Sequence, residues 1–530
     1  MRTNYIIIAM AFVFTFNSCS DFLDKTPLVN VAAENFYADE IQCNDAILGL
    51  YSIMQGESYL LDQFLFMGDL CSDDAQMGNS RSEAYSWLSS SVPAYLKFDI
   101  LSTNSRNGNY WNQAFGGVSH ATRAIVRIGE NEKIDPVVKN TLIGEAYFIR
   151  GLFNFLLCRQ YGRLQISDHI LTYDEFYMPR ATLAETWAFI ESDLKEAARL
   201  LPEKSNIAAI NEGRATKGAA NAYLGRIYMY QGKFQEAYDI LKTVESSGQY
   251  RLEASYDQIF NTTNRNGMES IFEIQFMTSG TGWANSNEGN ILCFYVHDAG
   301  NPDAASYGDT TKWHVGWSMQ CPTQDLVDSY EPGDPRRAAS IIFPGEFFDG
   351  NYHFNHSSST SYQPKKWYVP YEHRSLTDQS DQPKNLISYR YADVLLYLAE
   401  AANETGKTAE ALVYLEQVRG RARSNSDDPN VLPAITETGR EALRNLIWNE
   451  RRSELALEGE RFWDLARQGR AGTVMRAYYK KYEENRTPTT LAPNFEKGRY
   501  FVDGRNEIFP IPSNQITASD GTLEQNPGYE

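Results

Sequence analysis

Three stretches of the chain combine flat aromatic side chains with amide and charged groups, a mixture suited to binding sugars. An aromatic ring packs against the C–H face of a sugar ring, while amide, carboxylate and guanidinium groups bond to its hydroxyls. The predicted site residues are the aromatic platforms Trp87, Trp283, Tyr307 and Trp313 and the polar partners Arg81, Asn285 and Asp309. For each ring the alternative is structural, because a loop tryptophan often fixes its own loop.

Catalytic chemistry has no comparable signal in the sequence. The GxSxG, HExxH and P-loop patterns are absent. A glycosidase holds two carboxylates at a defined separation across a cleft, and the sequence singles out no such pair. We therefore predict a non-enzymatic protein without a cofactor. Asp69, Asp73 and Asp74 raise calcium as a weaker alternative, since their spacing does not match the oxygen ligands of an EF-hand loop.

The N-terminus has the features of a bacterial lipoprotein signal. Arg2 precedes an apolar run from Tyr5 to Phe16, and Cys19 follows after two small polar residues. The run is too short to span a bilayer, so residues 1–18 are predicted to be a signal peptide. Cys19 is then the predicted lipidation site, and acyl chains there would anchor the protein. No later segment is predicted to cross a membrane.

Five further cysteines show no spacing typical of a zinc site. Cys158 lies on the apolar face of a predicted helix and is expected in the core. The sequence allows a disulfide between Cys293 and Cys321 but does not indicate one.

The charge balance excludes one class of partner. The chain has 68 acidic and 49 basic residues, a formal net charge of −19, and no basic run. Nucleic acid is therefore not an expected partner.

The elements that must position the site residues are helical hairpins. Between Arg214 and Val244, apolar and small residues recur every three or four positions, break at Gly232 and then resume. Gly225 and Ala237 let the two helices approach closely, and the spacing is that of a tetratricopeptide unit. The stretch Tyr391–Ala422 repeats the pattern around Gly406.

Stacked hairpins of this kind predict a mainly α fold with a tetratricopeptide-like scaffold of about four pairs. The other candidate pairs are Thr141–Tyr161 with Thr182–Leu201, and Glu441–Gly459 with the segment after it. A first helix is predicted over Glu34–Met54 and a strand over Met268–Phe276. Helical periodicity is lost over about 70–109 and 277–385, which are predicted to be long irregular insertions.

Charged side chains are dense between Asn449 and Gly469, and Glu145 and Arg150 lie on the earlier predicted helix Thr141–Tyr161. The arginine–carboxylate spacing in 449–469 predicts a lattice that locks helices together. Glu145 is expected to pair either with Arg150 or with the last turn of a neighbouring helix.

Motifs throughout the chain resemble those of the SusD/RagB family of outer-membrane lipoproteins of the Bacteroidetes. They are Cys19 with Asp21–Asp24, Gly144–Ala146, the hairpin from Arg214, Pro322–Val327, Asp334–Arg336, Tyr389–Asp393, Glu450–Leu465, Ile508–Pro512 and Asn526–Tyr529. On this resemblance, residues 19–530 are a single SusD-like domain.

The resemblance implies a function and a location. Such a protein is held on the cell surface by its lipid, pairs with a SusC-type TonB-dependent transporter, and captures oligosaccharides or polysaccharides for import. The ligand site would lie in the irregular insertions, and the helical scaffold would face the transporter. The alternatives are a peptide-capturing member of the same family, a lipid-anchored tetratricopeptide adaptor and a surface glycosidase.

Overall fold

A computed structural model describes residues 36–78, 91–280, 288–297, 316–349, 351–353, 360, 362–487 and 495–530. Helices dominate these residues, and eight short strands form four two-stranded antiparallel ladders. The α-helices are α1 Glu40–Met54, α2 Val92–Lys97, α3 Ser105–Glu130, α4 Pro136–Tyr161, α5 Leu183–Leu200, α6 Lys217–Tyr230, α7 Phe234–Ser246, α8 Tyr256–Ile259, α9 Leu292–Val296, α10 Gln324–Ser329, α11 Pro335–Ser340, α12 Tyr391–Glu404, α13 Thr408–Ser424, α14 Arg440–Leu455, α15 Arg461–Arg467, α16 Ala471–Tyr478 and α17 Ser513–Ala518.

The strands join segments that are far apart in sequence. They are β1 Ala75–Gln76, β2 Ser270–Ile274, β3 Cys321–Pro322, β4 Ile341–Ile342, β5 Glu346–Phe348, β6 Asn351–His353, β7 Gln363–Pro364 and β8 Leu386–Arg390. The pairs are β1 with β3, β2 with β8, β4 with β7 and β5 with β6. β2 lies inside the predicted stretch Met268–Phe276, but all five of its residues are buried. Polar and apolar residues alternate along β2, but both of its faces are buried and neither faces solvent.

The predicted helical scaffold is confirmed. Helices α3 to α7 each pack on the next one along the chain, α12 continues the stack on α7, and α13 packs on α12. The two hairpins predicted from Gly232 and Gly406 are present, and both glycines have the expected positive φ of +68° and +79°. A Cβ on Gly225 would lie 2.4 Å from Leu241 Cγ, so a small residue is required where α6 meets α7.

Two boundaries and one pairing differ from the prediction. α1 begins at Glu40 rather than Glu34, with Asp39 as its N-cap. α4 begins at Pro136 rather than Thr141, and it packs on α5 as predicted. The last predicted pair is not a simple hairpin, because α14 packs mainly on α12 and α13, while α15 packs on α16 and a preceding π-helix.

That π-helix, Tyr59–Leu70, is buried along its whole length. Gly68 lies against the backbone of Gly459, and a Cβ there would be 2.1 Å from the Gly459 carbonyl oxygen. The two glycines let the π-helix and the α14–α15 connection meet at backbone distance.

Helix α4 is long and apolar enough to cross a membrane by length and composition alone, contrary to the prediction that no later segment would be. Within the fold, however, 83% of its most apolar window is buried. It packs between α3 and α5, so its apolar surface is that of a core helix. Cys158 on this helix is buried, as predicted.

All five described cysteines are buried free thiols: Cys43, Cys71, Cys158, Cys293 and Cys321. The disulfide left open between Cys293 and Cys321 is therefore not formed.

Candidate ligand-binding site

The predicted site residues lie outside the part of the chain that the structure describes. Arg81 and Trp87 fall in 79–90, Trp283 and Asn285 in 281–287, and Tyr307, Asp309 and Trp313 in 298–315. Cys19 lies in 1–35, which is also outside it. What the structure does show is how the residues flanking the three segments are held.

The residues that flank the first segment, 79–90, and the third, 298–315, are hydrogen-bonded to one another. The Gly78 backbone N–H donates to the Ser318 carbonyl at 2.7 Å, and the Ser318 N–H donates to the His297 carbonyl at 2.6 Å. Gly78 precedes 79–90, while His297 and Ser318 lie on either side of 298–315. The β1–β3 ladder continues this contact, with Gln76 opposite Cys321. Backbone bonds therefore fix these three ends together.

The second segment is closed by the backbone and by one aspartate. The Met277 N–H donates to the Glu288 carbonyl at 2.8 Å. The buried Asp381 carboxylate accepts from the Ser279 and Gly280 N–H groups at 2.9 Å each and from the Ser279 hydroxyl at 3.2 Å. Asp381 thus fixes the last two residues before 281–287.

A short piece of chain connects the second segment to the third. The Asn290 N–H donates to the Gln382 carbonyl at 2.8 Å, beside Asp381, and α9 begins two residues later. An α-helix rises ~1.5 Å per residue, so the five residues of α9 add only about 8 Å. His297, next to Ser318, directly follows α9. The three segments therefore leave from one region, which we call the loop junction: Gly78, Gly280, Glu288, His297 and Ser318.

Ser91, which follows 79–90, is connected to α9 through side chains of α3 and its N-cap. The Asn104 amide donates to the Ser91 carbonyl at 3.0 Å, and Asn104 caps α3. In the first turn of α3, the Arg106 guanidinium donates to Glu57 Oε1 at 2.9 Å. The Tyr295 hydroxyl on α9 donates to the same oxygen at 3.1 Å. Glu57 therefore joins α3 to α9.

Burial raises the pKa of two groups near this bridge, Asp62 and Tyr295. Burial raises the pKa of the Asp62 carboxyl well above its usual value, against the effect of nearby Arg106. Burial, with Glu57, also raises the pKa of the Tyr295 hydroxyl. The ion pair of this bridge is Arg106 with Glu57, at 2.9 Å.

The three aspartates considered for calcium are occupied by protein groups. Asp73 pairs with Arg461 at 2.8 Å, and Asp74 pairs with Arg452 at 2.8 Å. Asp69 accepts from the Gln320 amide and from the Gly459 backbone. Among the described residues, no group of three or more His, Cys, Asp or Glu side chains is placed to hold a metal ion.

The side chains that hold the loop junction in place were not predicted from the sequence. Asp381 lies in a Ser-, Asp- and Gln-rich stretch with no distinguishing spacing, and Glu57 precedes the π-helix without a motif. Their partners are 102 and 49 residues away in sequence, at Ser279 and Arg106. Two tryptophans in the described residues pack against other rings: Trp111 lies against Tyr161, and Trp317 lies against Phe294 and Tyr295.

Comparison with known proteins gives a consistent result along the chain. A model described as the SusD family matches residues 268–529, and one described as "Starch-binding associating with outer membrane" matches residues 21–229. SusD-like protein P2 of Formosa agariphila is 26% identical over 547 residues, covering 99% of both chains.

Solved structures show the same fold. A laminarin-binding SusD-like protein matches with a TM-score of 0.76 at 25% identity, covering 93% of this chain and all of the other. A SusD homologue from Bacteroides thetaiotaomicron matches with a TM-score of 0.79 at 22% identity, covering 93% and 98%. The two family models lie end to end on a helical scaffold shared with these structures, and the chain therefore belongs to the SusD family.

Proposed function

We propose that this protein captures oligosaccharides or polysaccharides at the outer surface of the cell, without catalysis, through its segments 79–90, 281–287 and 298–315. Family membership supports a binding role, and the matching family description refers to starch binding and the outer membrane. A relative of the same fold is described as laminarin-binding.

The observation that carries this proposal is the loop junction. The predicted aromatic platforms and polar partners belong to three segments that are far apart in sequence, yet the residues flanking these segments are bonded together. Ligand sites are commonly built from loops held by a rigid scaffold. Side chains from the three segments can thus contribute to a single site.

Binding should therefore depend on rings from more than one segment. The test is a screen of the purified protein against neutral and charged polysaccharides and peptides, by affinity electrophoresis and calorimetry. We expect a retained glycan, and we expect Trp87→Ala and Trp283→Ala each to weaken its binding by about tenfold or more, since a sugar–aromatic contact is lost. Trp463→Phe, a change in the buried core away from both the loop junction and the surface grooves, serves as the control for general damage.

Two results would contradict the proposal. Unchanged glycan affinity in both loop variants would exclude this location, and retention of peptides alone would favour the peptide-capture alternative. Hydrolysis of the retained glycan would instead identify a glycosidase.

Delivery and anchoring complete the proposal. Acyl chains on Cys19 would hold the protein in the outer membrane, and the tetratricopeptide-like scaffold would dock on a SusC-type TonB-dependent transporter. Mass spectrometry of the N-terminal peptide and release of a Cys19→Ala variant from the membrane fraction test the anchor. Co-purification from detergent-solubilised membranes tests the transporter.

A further inference from the structure

A groove on the helical scaffold has the size of a ligand site and is built from elements other than the loop junction. Its floor is one face of α3, where Trp111, Phe115, Val118 and Thr122 follow at steps of four, three and four residues. The segment 165–178 forms one wall and α17 the other. The cavity holds about 380 Å³, within the ~300–1,000 Å³ typical of ligand pockets.

The wall at 165–178 is braced by its own side chains. Glu175 accepts from the Thr172 N–H at 2.7 Å, and the His169 ring lies 3.0 Å from both Asp168 and Glu175. The Gln165 amide donates to the Met178 carbonyl at 2.5 Å. These contacts close the segment upon itself and fix the residues between them.

This braced wall holds aromatic rings in solvent. Tyr173, Phe176 and Tyr177 are 74%, 59% and 36% exposed, and Phe176 and Tyr177 line the groove. Soluble proteins seldom expose neighbouring aromatic rings on a fixed element unless the surface binds something. Flat exposed rings beside side-chain amides, here Gln165 and Gln515, are suited to the faces and hydroxyls of sugars.

The charged residues that line the groove indicate whether it binds a neutral or an acidic sugar. Arg123 lines this groove and the adjoining groove between α1 and α3. It forms no ion pair or hydrogen bond with any residue in the described ranges, although Asp45 lines the adjoining groove. One turn further along α3, Arg127 pairs with Glu130 at 3.1 Å. The other lining residue that can carry a positive charge, His169, already lies between two carboxylates.

We propose that this groove is a second binding site, specific for acidic oligosaccharides, in which Arg123 pairs with a carboxylate or sulfate and Phe176 and Tyr177 contact the sugar rings. This rests on the proposed glycan-capturing function but places a charged ligand outside the loop junction. The unpaired guanidinium of Arg123 attracts an anion locally, against the repulsion expected from the chain's net charge of −19.

The test is calorimetry on the full-length protein in detergent with hexagalacturonate, its methyl ester and a sulfated carrageenan hexasaccharide. We expect the acid to bind and the neutral ester to bind at least about tenfold more weakly, the loss typical of one charge-assisted contact. Arg123→Gln should weaken binding of the acid about tenfold, and Phe176→Ala should also weaken it. Arg127→Gln, on the same helix and outside the groove, should bind as the wild type does.

Further ligands and variants in the same experiment distinguish this groove from the site proposed at the loop junction. Carrageenan binding that depends on Arg123, in place of galacturonate binding, would assign the anion as a sulfate. The proposal is overturned if wild type binds neither acidic sugar, if Arg123→Gln binds as tightly as wild type, or if Trp87→Ala alone abolishes binding. It is also overturned if an acidic peptide is the only ligand that needs Arg123. Failure of the loop-junction site would instead appear as neutral-glycan binding that is insensitive to Trp87→Ala and Trp283→Ala.

Discussion

Single side chains decide where the three predicted binding segments leave the scaffold. Asp381 fixes the start of 281–287, and Glu57 connects Arg106 with Tyr295 between α3 and α9. Each acts as an acceptor for groups brought together from different parts of the chain. These residues fix the residues that flank the segments without belonging to the segments, so we expect their loss to affect binding more than folding.

Asp381→Ala removes the acceptor for two backbone N–H groups and one hydroxyl just before Trp283 and Asn285. We expect glycan affinity to fall about tenfold, while the free energy of unfolding falls by only ~1–3 kcal/mol. Calorimetry with the retained glycan and urea unfolding measure the two effects. Asp135→Ala, which removes a cap that accepts from Val137 and Val138 on α4, is the matched control and should leave affinity unchanged. Equal affinity of the Asp381 variant and wild type would exclude the orienting role.

Ion-pair partners at this scale could not be predicted from sequence. Glu145 pairs with Arg214 at 2.8 Å, and Arg150 pairs with Asp193 at 2.6 Å. Both alternatives predicted for Glu145 are wrong, because Arg214 lies just before α6 rather than in the last turn of a helix. Residues five apart on a helix do not share a face, which favours partners on neighbouring helices. The partners are 69 and 43 positions away, and only the packing of the helices selects them.

At the scale of elements, local patterns were reliable where they repeat with a helical period. The hairpins around Gly232 and Gly406 combine periodic apolar residues with a glycine at the turn, and both are present. The π-helix Tyr59–Leu70 and the short helices within 277–385 were not predicted. Their formation depends on contacts with distant segments, such as Gly68 against Gly459, rather than on local periodicity.

Gly225→Ala tests the close approach of α6 and α7. The new Cβ would lie 2.4 Å from Leu241 Cγ, and Leu241 is fully buried, so its side chain has little space to move. We expect a loss of ~1–3 kcal/mol in the free energy of unfolding, the usual cost of overpacking. Gly49→Ala in α1 is the control: nothing lies within 4 Å of its Cβ, and alanine should stabilise the helix by ~0.5–1 kcal/mol. Urea titration of both variants checks the opposite signs.

At the scale of the whole molecule, a buried ion lattice joins the C-terminal helices to the strands, as the charges in 449–469 predicted. Arg390 at the end of β8 contacts Glu269, Glu454 and Glu458 at 2.6–2.8 Å. Glu454 on α14 also pairs with Arg421 on α13 and Arg336 on α11. The lattice therefore connects helices α11, α13 and α14 with strand β8.

Arg390→Met should strongly destabilise the protein, because three carboxylates lose a buried partner. Removing one member of a buried ion pair typically costs ~3–5 kcal/mol. Arg440→Met is the control, because that side chain is 59% exposed in its pair with Glu404 and should contribute less than ~1 kcal/mol. Similar urea midpoints for the two variants would contradict a supporting role for the lattice.

A second buried ion cluster in the C-terminal helices, Asp464 with Arg451 and Arg467, predicts acid sensitivity. Burial opposes ionisation of Asp464, but Arg451 and Arg467 lower the pKa of its carboxyl from 3.8 to about 2. A carboxyl with a lowered folded-state pKa stabilises the protein above its unfolded pKa, and this contribution is lost as the pH falls towards 2. We expect the melting temperature to fall steeply below pH ~4. Asp464→Asn should melt lower at pH 7 and show a shallower decline with acid, as calorimetry at several pH values would reveal.

The loop junction also bears on how such a protein can change its ligand over evolution. Its closing bonds run between backbone groups and a few scaffold side chains, including Gly78 to Ser318, Met277 to Glu288, and Asp381 to Gly280. All six residues in these bonds lie outside 79–90, 281–287 and 298–315. We therefore expect that a relative's sequence grafted between the same end points would keep these bonds, so that ligand specificity could change while the scaffold keeps its structure.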